Sequence, residues 1–191
     1  MSVPEITYRR FGPPTAQTIR DTVQAIYEAS YVDRIASGAP FDSVEQFMYR
    51  FDRYARRDGF DLLVASIDGE PVGQTWGWPL YEADATRGWW TGLVHEPEPG
   101  FTEENGTRTF AFSEIMVDHR YAGQGIAHAM HNELLSTRLE KRATLLVKPN
   151  NDRAYRAYRN WGWTKVNELR PGWPDAPLFD VLILELPIDE V

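Results

Sequence analysis

Phe110-Ala-Phe-Ser-Glu-Ile-Met-Val117, followed by Asp118-His-Arg-Tyr121 and then Ala122-Gly-Gln-Gly-Ile-Ala127, is the stretch on which the reading of this chain turns. The first run is rich in aromatic and β-branched residues, as strands are. The last opens a helical pattern in which Ile126, Met130 and Leu134 share a face. Between them, glycines remove the side chains that would keep a ligand away from the backbone. The first turn of the helix offers unpaired N–H groups and the positive end of its dipole. Strand, glycine turn and helix in this order make an anion cradle from main chain, and a phosphate-bearing ligand is its expected occupant.

Working outward, residues 5–11 read as a strand ending at Gly12-Pro-Pro14. A helix follows, with Ile19, Val23, Ile26, Tyr27 and Ser30 on one face. A second helix starts at Ser43, where Ser43 and Gln46 suit a capping box, and carries Val44, Phe47, Met48, Phe51 and Tyr54 on its apolar side. Asp61–Ile67 and Val72–Trp78 alternate as strands around Asp68-Gly69, a hairpin signal. Residues 81–107 show no clear periodicity, and a stretch that long is usually functional or mobile. The central strand at 108–118 feeds a helix expected over 124–140, then a strand at 143–148, a helix through Trp161, and strands at 163–169 and 178–186. The order describes a mixed α/β sheet.

With 191 residues the chain suits one domain over 1–191, with 81–107 as a loop insertion near the acceptor site. The absence of cysteine excludes disulfides, thiolate metal sites and a cysteine nucleophile. A net charge of −8 argues against a nucleic-acid partner held by a broad basic field. No signal peptide is read at Met-Ser-Val-Pro-Glu, and no apolar run approaches the ~20 residues of a membrane span. The expectation is a cytoplasmic protein with no membrane partner. The Asn105-Gly-Thr107 sequon reads better as a turn.

Three segments together resemble the GNAT superfamily of acyl-CoA-dependent N-acetyltransferases. Leu62-Leu-Val-Ala-Ser-Ile-Asp-Gly-Glu-Pro-Val-Gly73 is similar to the family's central hairpin. Ile115–Ala127 resembles its pyrophosphate motif, and Asn151-Asp-Arg-Ala154 with Tyr158 and Gly162-Trp163 resembles its later strand–helix motif. The resemblance implies a mixed, mostly antiparallel central sheet of about seven strands flanked by about four helices. It implies acetyl transfer from acetyl-CoA to a primary amine within a ternary complex, without a metal. One departure stands out: the motif's first Gln or Arg is Ala122 here, so Arg120 is the nearest candidate for a supplementary charge.

Site residues follow from the resemblance. Cofactor contacts map to Met116, Val117, Ala122, Gly123, Gln124, Gly125, Ile126, Ala127, Asn151, Ala154 and Tyr158. An alkylammonium with a pKa near ~10.4 costs about 4–5 kcal/mol to deprotonate at pH 7, so a general base is needed. Glu114 is the candidate, with a purely orienting role as its alternative and His119 as a rival. Backbone N–H groups near Met116 and Val117 are the expected oxyanion donors. Tyr158 is the candidate acid for the leaving thiolate, with ordinary helix packing as its alternative and Tyr155 as fallback. Asn151 suits a helix cap as well as the pantetheine arm.

For the acceptor, Trp89 and Trp90 offer aromatic faces alongside Glu114, Trp76 and Trp78 share one face of their strand as buried residues or a pocket floor, and 81–107 holds Glu82, Asp84, Glu96, Glu98, Glu103 and Glu104 against Arg87. Together they suggest a small cationic metabolite or antibiotic, while an acidic loop with tryptophans packed on the core explains them equally. A protein or peptide amine, or a non-catalytic acyl-CoA sensor, are the other readings, and a homodimer is open. His128 and His131 share a helix face but read as surface residues, and Arg153, Arg156 and Arg159 as a solvated strip.

Overall fold

Strand pairing in this chain follows the hairpin and crossover signals of the sequence. The computed structural model describes residues 5–188. Its seven strands are β1 (Ile6–Phe11), β2 (Asp61–Ile67), β3 (Glu70–Pro79), β4 (Thr109–Val117), β5 (Arg142–Val147), β6 (Thr164–Leu169) and β7 (Phe179–Glu185). They form one mostly antiparallel mixed sheet in the order β1-β2-β3-β4-β5-β7-β6. The α-helices are α1 (Pro13–Ala16), α2 (Arg20–Ser30), α3 (Val32–Ala36), α4 (Val44–Tyr54), α5 (Glu82–Arg87), α6 (Ile126–Leu135) and α7 (Asp152–Asn160). The expected α/β class is what the chain forms. Two compact units divide it, and β4 passes from the second to the first at Glu114.

The first unit runs through Trp78 and adds Glu114–Leu134. Here β1 pairs antiparallel with β2, and β2 with β3. Asp68 and Gly69 both take positive φ, 51° and 83°, the geometry of the tight hairpin turn their sequence implies. Ser43 Oγ accepts from the Gln46 N–H at 3.2 Å, so the N-terminus of α4 begins where its cap predicts. Aromatic rings fill the interior: Trp76 lies 5.6 Å from Phe47 and 5.5 Å from Phe51, and Tyr27 stacks on Phe47 at 3.7 Å. Gly73 matters for close approach, because a Cβ there would come within 2.9 Å of Met130 Cε on α6.

The second unit holds Pro79–Ser113 and the chain from Leu135 onward. β4 pairs parallel with β5 through Thr109–Ala111 and Arg142–Thr144, while β7 lies antiparallel to both β5 and β6. Phe110, Phe112, Leu145, Trp163 and Val181 are buried in it. Residues 81–107 are organised rather than open: α5 starts the segment, Leu93 bridges to Leu169, and Gly106 at φ 85° turns beneath Tyr81.

The helix expected over 124–140 ends at Leu135. Ser136 and Thr137 follow, and their hydroxyls compete for backbone partners that a helix would use. Leu139, beyond the helix end, is 95% exposed.

Candidate active site

Glu114 sits on β4 with its carbonyl accepting the Thr75 hydroxyl at 2.8 Å. Glu114 is half-buried, so it retains accessible surface while its charge is strongly desolvated. Burial pushes its carboxyl up to about 7, against the opposing pull of Arg50 and Arg34 and with a further push from Asp42. Three phenols feel the same charge. Burial first, and the Glu114 carboxylate among the other causes, raise Tyr27 to about 12 and raise Tyr31 and Tyr54 as well.

Local chain structure explains how these groups converge. α2 and α4 present Tyr27 and Tyr54, and Tyr31 stands at the junction where α2 stops and α3 starts. Tyr27 donates its hydroxyl to the Asp42 carbonyl at 2.8 Å and packs edge-on against Tyr31 at 5.2 Å. Arg34 lies over the Tyr31 ring at 4.8 Å, and Arg50 over Phe41 at 4.1 Å. Tyr54 stacks on Trp78 at 4.4 Å.

Sequence reasoning placed Tyr27 and Tyr54 on apolar helix faces and passed over Tyr31, Arg34, Arg50 and Asp42. The one available signal was that these faces carry phenols where aliphatic residues would pack as well. His119, the rival base, is exposed, and its Nδ1 lies 2.8 Å from the Ala29 carbonyl.

The tryptophans separate into different tasks. Trp76 is a core residue, and Trp78 is 2% exposed beneath Tyr54, so it supports the rings rather than meeting solvent. Trp90 is buried in the second unit with Nε1 donating to Glu104 at 2.9 Å, and Trp89 beside it is half-buried. Glu104 also accepts from Thr109 Oγ1 at 2.7 Å and faces Arg142 at 3.4 Å. Asp84 is buried and accepts from the Tyr81 N–H. Two of the acids once counted toward a cationic acceptor are therefore consumed in holding their own segment.

The glycine turn has the conformation its sequence demands. Gly123 and Gly125 take φ of 80° and 81°, where a side chain would be strained, and no atom lies within 4 Å of where either Cβ would stand. Ala122 and Gln124 are exposed with them, and Ile126 and Ala127 begin α6. The Ala129 N–H donates to the Gly125 carbonyl, so the amides just before it occupy the N-terminal turn. Arg120 is not held in reserve for an anion: its guanidinium grips Asp118 at 2.6 Å and keeps that carboxyl below the usual range.

Met116 is buried, with Sδ 3.2 Å from Gln74 Nε2, and Val117 is half-buried. The Asp118 N–H donates to the Val72 carbonyl at 2.8 Å. Amides alternate along a strand, so the Val117 N–H points away from β3.

In the second unit, Asn151 caps α7, its side chain accepting from the Ala154 N–H at 3.4 Å. Tyr158 is half-buried against Trp161 and Trp163, at ring distances of 5.7 and 6.2 Å. Tyr155, the fallback acid, is engaged by Asp180. Arg153, Arg156 and Arg159 are exposed. His131, expected at the surface, is 1% exposed; burial drives its pKa down to about 4. No described helix is long and apolar enough to cross a membrane.

Solved structures share this fold at low identity. A Pyrococcus horikoshii OT3 protein matches with a TM-score of 0.65 at 15% identity, covering 96% of this chain and 99% of that one. The ribosomal-protein-S18-alanine N-acetyltransferase of Escherichia coli matches with 0.59 at 16%, covering 98% and 96%. A GNAT family acetyltransferase of Elizabethkingia anophelis, solved with acetyl-CoA bound, matches with 0.59 at 12%, covering 95% and 98%. No curated protein matches the chain by sequence. Residues 21–163, most of the chain and the span that holds Glu114, the glycine turn and Tyr158, match the model of the Acetyltransferase (GNAT) family, and the chain belongs to that family of acyltransferases.

Proposed function

We propose that this acetyltransferase acetylates a primary amine of a small molecule, with Glu114 taking the proton that the amine must lose. The observation that carries this reading is the position of Glu114. Burial pushes its carboxyl up to about 7, and its charge acts on three phenols, while part of its surface stays accessible. A base is most effective when its pKa lies near the working pH, because it is then ionised in a useful fraction and still basic enough to accept. An amine entering as its ammonium would lose its proton to Glu114 directly or through one water.

The turn from Ala122 to Ala127 fits acetyl-CoA on geometry. Its two glycines leave open space where side chains would stand, and the N-terminal amides of α6 face an anion with their dipole end. When bound, acetyl-CoA supplies an activated acetyl group as a thioester. Gly123, Gln124, Gly125, Ile126 and Ala127 would hold its diphosphate through main-chain N–H groups. With Ala122 at the motif's first position and Arg120 committed to Asp118, grip depends on backbone rather than on an added cation. Asn151 and Ala154 would meet the pantetheine arm at the start of α7.

The Val117 amide, turned away from β3, is the better-placed donor to a carbonyl oxygen than that of Met116. Tyr158 would return a proton to the departing sulfur from its hydroxyl, the one donor its side chain has.

A pH–rate series on wild type and Glu114→Gln tests the base. Wild-type kcat/KM should rise through a limb near pH 7, and the variant should lose that limb; an unchanged limb refutes the assignment. For Tyr158→Phe, kcat should fall about a hundredfold with acetyl-CoA affinity nearly unchanged. Equal turnover would remove Tyr158 from the chemistry.

A further inference from the structure

We infer, resting on the reading of Glu114 above, that the acceptor is a zwitterion: besides its reacting amine it carries one anionic group, a carboxylate or phosphonate, which Arg34 and Arg50 receive. The charges gathered in the first unit support this over the purely cationic acceptor suggested by the sequence. Arg50 and Arg34 both act on the Glu114 carboxyl, with Arg50 the stronger, and Asp42 is the acid that opposes them. Counting the groups that act on Glu114 itself, Arg34, Arg50 and Asp42, an ammonium paired with Glu114 leaves an excess of a single positive charge, and Arg53 and Arg57 near Tyr54 only add to it. One negative group on the acceptor balances it; a second ammonium would worsen it.

Geometry points the same way. Each guanidinium is braced by an aromatic ring, Arg34 on Tyr31 and Arg50 on Phe41, and Arg50 is further fixed by Nη1 donating to the Phe41 carbonyl at 3.1 Å. A guanidinium has five N–H donors in a planar fork, and that single bond to protein leaves Arg50 its capacity for a bidentate anion. Neither arginine forms an ion pair with a carboxylate among the described residues. Arg20 with Asp52, Arg120 with Asp118 and Arg138 with Glu140 each do. Tyr27 and Tyr31, in edge contact at 5.2 Å, each feel Arg34, Glu114 and Asp42 electrostatically.

The test is thiol release from acetyl-CoA with matched acceptors: a free amino acid, its carboxamide, its methyl ester, the amine lacking the carboxylate, an aminoalkylphosphonate, and a short peptide with a free N-terminus and amidated C-terminus. The acids should exceed the neutral analogues in kcat/KM by at least about tenfold, with the difference mainly in KM. Arg50→Gln and Arg34→Gln should shrink that ratio toward one, and Arg50→Lys should restore part of it. Equal rates for acid, amide and ester, or preference for the bare amine or the peptide, would overturn the zwitterion assignment while leaving Glu114 as base. No transfer to any amine, with acetyl-CoA still bound in calorimetry, would refute the small-amine reading itself and this assignment with it.

Discussion

Glu104 and Glu114 flank the start of the same strand, yet one is tied to ring, hydroxyl and guanidinium partners and the other is the base proposed above. The Glu104 side chain has no accessible surface. It is met by the Trp90 indole, the Thr109 hydroxyl and Arg142, whose guanidinium also reaches Thr109 Oγ1 at 2.8 Å and the Phe101 carbonyl at 2.6 Å. Glu114 has its positive neighbours at a distance and its phenols around it, so desolvation outweighs pairing and its carboxyl rises to about 7. Three partners on a single carboxylate oxygen tie Glu104 into its own segment, whereas the half-buried Glu114 carries the raised carboxyl that suits the proton transfer proposed for it.

The sharpest way to break this contrast is to truncate the sealed acid. Glu104→Ala leaves Arg142 buried, its pKa already lowered by burial and sustained in part by Glu104. Losing one partner of such a pair costs about 3–5 kcal/mol, or roughly 10 °C in melting temperature for a chain of this size. Thermal unfolding measures it, and a loss under about 1 kcal/mol would mean the network is incidental.

The matching change in the other acid, Glu114→Gln, should instead cost rate. About a hundredfold loss of kcat/KM at pH 8, equivalent to ~2.7 kcal/mol of transition-state stabilisation, is expected with the fold intact. The deficit should shrink below pH 7, where wild-type Glu114 is itself protonated.

The same substitution has a stability consequence of opposite sign. Between its ordinary value of 4.5 and the native value of about 7, folded Glu114 keeps a proton that the unfolded chain has released. Stability from this group is therefore present below the unfolded pKa and lost as pH rises through the native one. Arg50 and Arg34 moderate the loss, and Asp42 adds to it. Discounted for the surface Glu114 retains, Glu114→Gln should gain about 2 kcal/mol at pH 8 and nothing at pH 4. A variant that melts at or below wild type at pH 8 would show that the carboxylate is solvated after all.

Much of the scaffold was readable because short-range rules fix it. Asp68-Gly69 demanded a tight hairpin, Gly123 and Gly125 a left-handed turn, and Ser43 and Asn151 helix starts, and each appears there. α3 and α5 were missed because helices this short are stabilised by what they pack against rather than by their own propensity. The acceptor wall was missed for a related reason. Tyr27, Tyr31, Arg34, Arg50 and Tyr54 lie on or between helices far in sequence from the strand that carries Glu114, and nothing local to any of them encodes their electrostatic coupling to it. Acid count also misled over 81–107, since composition does not reveal that Glu104 and Asp84 turn inward.

Trp90 gives the smallest and most discriminating change. Trp90→Phe keeps an aromatic ring near Phe101, 5.2 Å away, and near the Arg142 guanidinium, 5.6 Å away, but deletes the N–H that Glu104 accepts. Because Thr109 and Arg142 remain on the carboxylate, the cost should be that of one hydrogen bond to a charged group in a network, about 1–2 kcal/mol. KM for the acceptor should not move, since the indole is enclosed within its own unit. If KM rose several-fold while stability stayed level, the acceptor role first given to Trp90 would return, and Glu104 would cease to be the structural half of the comparison.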